Sequence, residues 1–166
     1  MYKEYKTVRI ARDCKYWLNS LITLKESELK KCKTDLIADH ERILKEHSDF
    51  SDGFSPTISI GVTSGSILEA AYRYVRDEKI DLKEIRKQID HLKHNYSAPS
   101  KLNVGTLTPR FYLDSEILDQ LEKYQGSLKS DEMQRPLMLN YIIKLVIFAF
   151  YEKNELEIKK LDQENA

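Results

Sequence analysis

Leu137 to Tyr151 constrains this chain more than any other segment: fifteen consecutive positions, apolar nearly all round, broken only by Asn140 and Lys144. A helix without a polar face has to be buried on several sides, and this one is too short for a typical membrane span. It predicts a central core helix around which the other elements pack. At 166 residues the chain fits one ordinary domain or two very small units that share a core or gain one from a partner. With 33% charged residues, five Gly and four Pro, those elements are expected to be helices with solvated faces.

Lys6-Thr7-Val8-Arg9-Ile10 alternates polar and apolar as a short strand. Asp13 then marks a helix start, with Trp17, Leu18, Leu21 and Ile22 at helical spacing. A looser helical stripe runs through Leu29, Cys32, Leu36, Ile37, Ile43 and Leu44, ending at the loop signals of Ser48 to Gly53 and Ser55-Pro56. Small capping residues in Gly61-Val62-Thr63-Ser64-Gly65-Ser66 start a second helix carrying Ile67, Leu68, Ala71, Tyr72 and Val75. Leu82, Ile85, Ile89 and Leu92 form a third stripe, read as a spacer helix before the break from Asn95 to Ser100.

The opening pattern then returns. Thr106 to Leu113 alternates as a strand, Asp114 is a good N-cap, and Ile117, Leu118 and Leu121 mark a helix. Thr7-Val8-Arg9-Ile10 lines up with Thr108-Pro109-Arg110-Phe111, so both strands carry Thr-x-Arg on one face. Arg135-Pro136 is expected to open the apolar helix, since Pro is tolerated in a first turn. Glu152 to Ala166 reads as a polar helical extension or frayed tail.

Formal net charge is zero, so any polyanion-binding surface has to be local. Nine bases stand against four acids between Met1 and Lys33. Cys14 and Cys32 fit no metal or disulfide spacing, and the polar, basic N-terminus has no apolar signal core. Reduced thiols in a cytoplasm are the expected state. The pairs His91/His94 and His40/His47 lack a supporting ligand set, so no metal and no cofactor is expected. No phosphate-binding Gly loop, HExxH, GxSxG or Cys-His pair points to catalysis, and the expectation is a non-enzymatic protein.

Strand, helix, a turn of Gly-apolar-Thr-Ser, then helix, running from Thr7 to Val75 and again from Thr108 to Tyr151, resembles the ribbon-helix-helix DNA-binding family of the Arc and MetJ type. The resemblance implies a mainly α fold with short β-strands. Its first unit spans residues 1–80 with a helical insertion at about 25–56, a spacer and linker fill 81–105, and a second unit with a polar tail covers 106–166. In that family two strands pair as an antiparallel ribbon whose polar side enters the DNA major groove. Alternation sends Val8, Ile10, Pro109, Phe111 and Leu113 inward. Thr7, Arg9, Thr108, Arg110 and Tyr112 then face outward as the DNA-reading set, Arg suiting guanine and Thr a base edge or thymine methyl. Thr63, Ser64, Gly65 and Ser66 would receive a phosphate at the second helix's N-terminus, and Arg135 would do so in the second unit. In an alternative register Thr57-Ile58-Ser59-Ile60 is the strand.

The implied partner is double-stranded DNA, bound by a transcriptional repressor or by a DNA-processing accessory protein similar to those of conjugative plasmids. The strands would pair within one chain or between copies in a homo-oligomer. The competing expectation is a protein-interaction module, an antitoxin or adaptor, that grips its partner through the Leu24 to Phe54 insertion or the C-terminal tail.

Overall fold

A computed structural model of the chain describes residues 2–47, 53, 57–91 and 96–166. The loop signals at 48–52 and 55–56, together with Phe54, Leu92, His94 and Asn95, lie outside these residues. Among the described residues the chain is mainly helical with one two-stranded antiparallel sheet. In order the elements are β1 (Lys3–Thr7), α1 (Arg12–Glu46), α2 (Ser64–Asp77), α3 (Leu82–His91), β2 (Arg110–Asp114), α4 (Ser115–Ser127), α5 (Leu139–Lys153) and α6 (Glu155–Glu164). Among the described residues no helix is long and apolar enough to cross a membrane.

The apolar segment is the centre of the molecule. Ile142, Ile143 and the run from Leu145 to Tyr151 are buried, and α1, α2, α3, α4 and α6 all pack on α5. Trp17 of α1, 1% exposed, lies against Phe148 and Tyr151 with ring centroids 5.0 and 6.1 Å apart. One hydrophobic cluster joins residues of both halves of the sequence, from Ile10 to Ile158. Both halves of the sequence therefore contribute to one core, as a chain of this size requires. The polar interruption at Lys144 is matched by Asp13 at the start of α1, with Nζ 3.2 Å from Oδ2. This neutralises a cation that the helix would otherwise carry into the core.

The helical stripe expected from Asp13 to Leu44 forms one continuous helix of 35 residues. It leaves the core after Leu24, its last buried residue. Three expectations are corrected. Helix α3 is part of the core instead of a spacer, because Leu82, Ile85 and Ile89 are buried and the helix packs on α5. Thr57 to Ile60 forms no strand. Helix α5 begins at Leu139 with Met138 as N-cap. Arg135-Pro136 lies before it because Leu137 is held elsewhere: its N–H donates to the Gln125 carbonyl, and its carbonyl accepts from Gln125 Nε2.

The strand pairing is intramolecular, with Tyr5 opposite Tyr112 and Thr7 opposite Arg110. The equivalence of Thr7-Val8-Arg9-Ile10 with Thr108 to Phe111 would put Val8 and Pro109 at the ribbon's middle, but they lie at its end. The Val8 N–H reaches the Pro109 carbonyl at 3.4 Å, and Pro109 has no N–H to return. Regular pairing therefore stops at Thr7, while Ser115 N–H to the Tyr2 carbonyl at 2.9 Å closes the other end.

Candidate nucleic-acid interface

The ribbon has a wet face and a dry face. On β2 the alternation is complete: Pro109, Phe111 and Leu113 are buried, and Thr108, Arg110 and Tyr112 are exposed. On β1, Lys3, Tyr5 and Thr7 are exposed, whereas Glu4 and Lys6 are half-buried. Beyond the regular ladder Ile10 N–H still reaches the Leu107 carbonyl at 2.8 Å. Val8 and Ile10 are accordingly half-buried and buried, and Arg9 is exposed. Thr7, Arg9, Thr108, Arg110 and Tyr112 thus lie along the exposed side of one ribbon. Arg9 belongs to its loose extension, opposite Thr108, instead of to β1.

The centre of the exposed face is aromatic and cationic. The Tyr5 and Tyr112 rings stack with centroids 4.5 Å apart and planes inclined by 28°, as expected of directly opposed residues. The Arg110 guanidinium sits 3.9 Å from the Tyr5 ring centroid, which holds its hydrogen-bonding fork in place on the outward side. Lys3 is 5.4 Å from the Tyr112 ring. Sequence reasoning missed Lys3 and Tyr5. The available signal was the repeated cation-x-Tyr of Lys3-Glu4-Tyr5 and Arg110-Phe111-Tyr112.

Several basic residues of the N-terminal segment are committed to structure. Lys3 Nζ lies 3.1 Å from Oε1 of Glu69, a carboxylate only 4% exposed, while Arg73 Nη1 is 3.6 Å from its other oxygen. The Glu69 bond is the main reason that the Lys3 ammonium holds its proton above the ordinary lysine range. Arg12 donates to the carbonyls of Ala98, Pro99, Ser100 and Leu102 and so clamps the segment that leads into β2. That leaves Arg9 and Arg110 as the outward arginines on the ribbon.

At the start of α2, Thr63 and Ser66 satisfy each other. Thr63 Oγ1 accepts from Ser66 N–H at 3.1 Å, and Ser66 Oγ accepts from Thr63 N–H at 2.9 Å. The N–H groups of Ser64 and Gly65 are the first-turn donors left over, since Ile67 N–H is bonded to the Thr63 carbonyl. Gly65 itself is buried against the ribbon: a Cβ there would stand 2.3 Å from the Tyr112 carbonyl oxygen. Its glycine character serves this approach, which sets the open end of α2 beside the ribbon. Arg135 is exposed and lies three residues before the Met138 cap. It therefore has no counterpart of the α2 arrangement.

Among the described residues no group of His, Cys, Asp or Glu is placed to hold a metal ion. Comparison with protein-family models, curated proteins and solved structures finds no match to this chain.

Proposed function

We propose that the chain binds double-stranded DNA sequence-specifically by laying the β1–β2 ribbon in the major groove, as two ribbon-helix-helix units joined in one polypeptide. One observation carries this reading. Hydroxyl, guanidinium and phenol groups of Thr7, Arg9, Thr108, Arg110 and Tyr112 line the exposed side of an antiparallel ribbon whose other side is sealed by a helical core. A B-DNA major groove admits a two-stranded ribbon and presents a distinct donor and acceptor pattern for each base pair. The N–H of the half-buried Ser64 at the start of α2 suits a flanking phosphate. Because the two strands differ in sequence, the ribbon would read an asymmetric site. The role that fits is a transcriptional repressor or a DNA-processing accessory protein of the conjugative-plasmid kind, acting by binding without catalysis in the cytoplasm.

The test is selection of bound duplexes from a random pool at roughly physiological ionic strength, with the Arg9→Ala, Arg110→Ala double variant in parallel. An enriched motif that the variant loses supports ribbon readout; each arginine is expected to contribute about 1–3 kcal/mol of discrimination. Absence of enrichment with the unaltered chain refutes it.

A second reading, a protein-interaction module such as an antitoxin or adaptor, is favoured by a separate observation. Leu36 and Ile43 on α1 and Leu156 on α6 are exposed apolar side chains away from the ribbon. On that reading the arginine variants leave partner binding unchanged.

A further inference from the structure

Beyond Leu24, α1 runs on as a bare arm from Lys25 to Glu46, about 33 Å at 1.5 Å per residue. Its surface is patterned. Ile22, Leu29, Leu36 and Ile43 recur every seven residues, with Ile37 and Leu44 beside the last two. Ile22 already packs on the core, so the stripe continues unbroken from the body to the tip, where Leu36 and Ile43 are 36% and 49% exposed. The stripe is narrow, because the positions three residues on from it are Lys25, Cys32, Asp39 and Glu46, but Leu and Ile recurring along one side of a helix with no body behind it give a face that a second helix can cover.

The arm's charges identify that other helix. Lys25 to Lys33 carries four lysines against two glutamates, whereas Asp35 to Glu46 carries four carboxylates against two cations. Among the described residues, Lys25 pairs with Glu28 and Arg42 with Asp39 within the arm. Lys30, Lys31 and Lys33 near the base, and Asp35, Glu41 and Glu46 toward the tip, have no ion-pair partner among the described residues.

We infer that the arm is a self-association surface: two copies of this chain pack their α1 arms antiparallel, stripe against stripe, with the basic base of each beside the acidic tip of the other. A parallel pair would set the lysines of one arm against the same lysines of its partner, and carboxylates against carboxylates, which charge pairing between helices disfavours. The antiparallel pair is two-fold symmetric and closes at two copies. It leaves both ribbons free, and it holds whether or not the ribbon reads DNA.

The experiment is sedimentation equilibrium of the full chain at micromolar concentration. The expected result is a dimer that the Leu36→Glu, Ile43→Glu double variant converts to monomer. Both positions lie outside the core, so the fluorescence of the single, buried Trp17 should stay unchanged in the variant and report an intact body. A monomeric wild type, or a dimer that survives the double substitution, overturns the inference. Orientation is read with thiols, because Cys32 lies exposed on the arm and Cys14 is buried. With the arms crossing near Leu36, position 32 of one copy neighbours position 40 of the other. Mixing the wild type with a Cys32→Ser, His40→Cys variant and adding a short bis-maleimide should therefore give mainly the mixed cross-linked pair. Cross-links confined to 32 with 32 and 40 with 40 overturn the antiparallel arrangement.

Discussion

A Cβ on Gly65 would stand 2.3 Å from the carbonyl oxygen and 2.7 Å from the nitrogen of Tyr112, so helix α2 rests directly on the backbone of β2. Elsewhere in a helix, Gly→Ala stabilises by up to about 1 kcal/mol. Here the obstacle is backbone, which cannot swing aside. Gly65→Ala is expected to destabilise the chain by about 1–3 kcal/mol, the usual cost of overpacking. Chemical denaturation followed by Trp17 fluorescence measures it, and an unchanged or higher midpoint would contradict the close approach.

The stack of Arg110 on Tyr5 and of Tyr5 on Tyr112 makes a second prediction. Tyr5→Ala and Arg110→Ala should each lower stability modestly, and the double variant should lose less than the sum. A coupling of about 0.5–1 kcal/mol is expected for a cation over an aromatic ring near the surface. The same cycle run on affinity for a selected duplex asks whether Tyr5 holds Arg110 for reading. If it does, Tyr5→Ala weakens specific binding although Tyr5 was not among the residues expected to contact a base. Additive effects in both measurements would remove the stack from the account.

What the sequence made legible follows from how much each segment decides for itself. Helix α5 was readable because its apolar surface admits no environment but a core. The wet and dry faces of β2 were readable because Pro109, Phe111 and Leu113 alternate strictly with Thr108, Arg110 and Tyr112. Strand β1 carries polar side chains at both of its half-buried inner positions, Glu4 and Lys6. Its pairing is set by Phe111 and Leu113 across the ribbon and by the missing N–H of Pro109, so the regular strand ends at Thr7 and starts earlier than the alternation of Lys6 to Ile10 indicated, while Val8 and Ile10 continue in the same register. The burial of Gly65 and the displacement of Arg135-Pro136 by the Leu137–Gln125 bonds are tertiary facts that leave no local pattern.

The Asp13–Lys144 pair makes the third prediction. Both side chains are mostly shielded, at 26% and 18% exposure, and Lys144 also lies 5.9 Å from the Trp17 ring centroid. Lys144→Met leaves the Asp13 carboxylate beside an apolar helix and should cost about 1–3 kcal/mol, the desolvation penalty of an unpaired polar group. Adding Asp13→Asn should recover part of that loss, because no uncompensated charge remains. If Lys144→Met is neutral in urea denaturation, the pair contributes nothing to stability.

Tyr151 supplies the last prediction, in alkali. Its phenol is pushed up to about 12, chiefly by burial and then by the neighbouring Tyr16, Glu155, Asp162 and Tyr96, against roughly 10 in an unfolded chain. Below pH 10 the group is protonated in both states and adds no pH dependence. Between pH 10 and pH 12 the unfolded chain loses the proton first, so the unfolded state gains and stability falls as pH rises. Tyr74, Tyr96 and Tyr124 are raised in the same direction by burial, so the wild-type decline sums several groups. The share of Tyr151 is isolated by Tyr151→Phe, which keeps the ring against Trp17 and removes the ionisable hydroxyl. Denaturation midpoints of the two chains should differ in pH dependence only above pH 10, with the variant falling less steeply. Parallel curves through pH 12 would mean that the Tyr151 phenol ionises as readily in the folded chain as in the unfolded one.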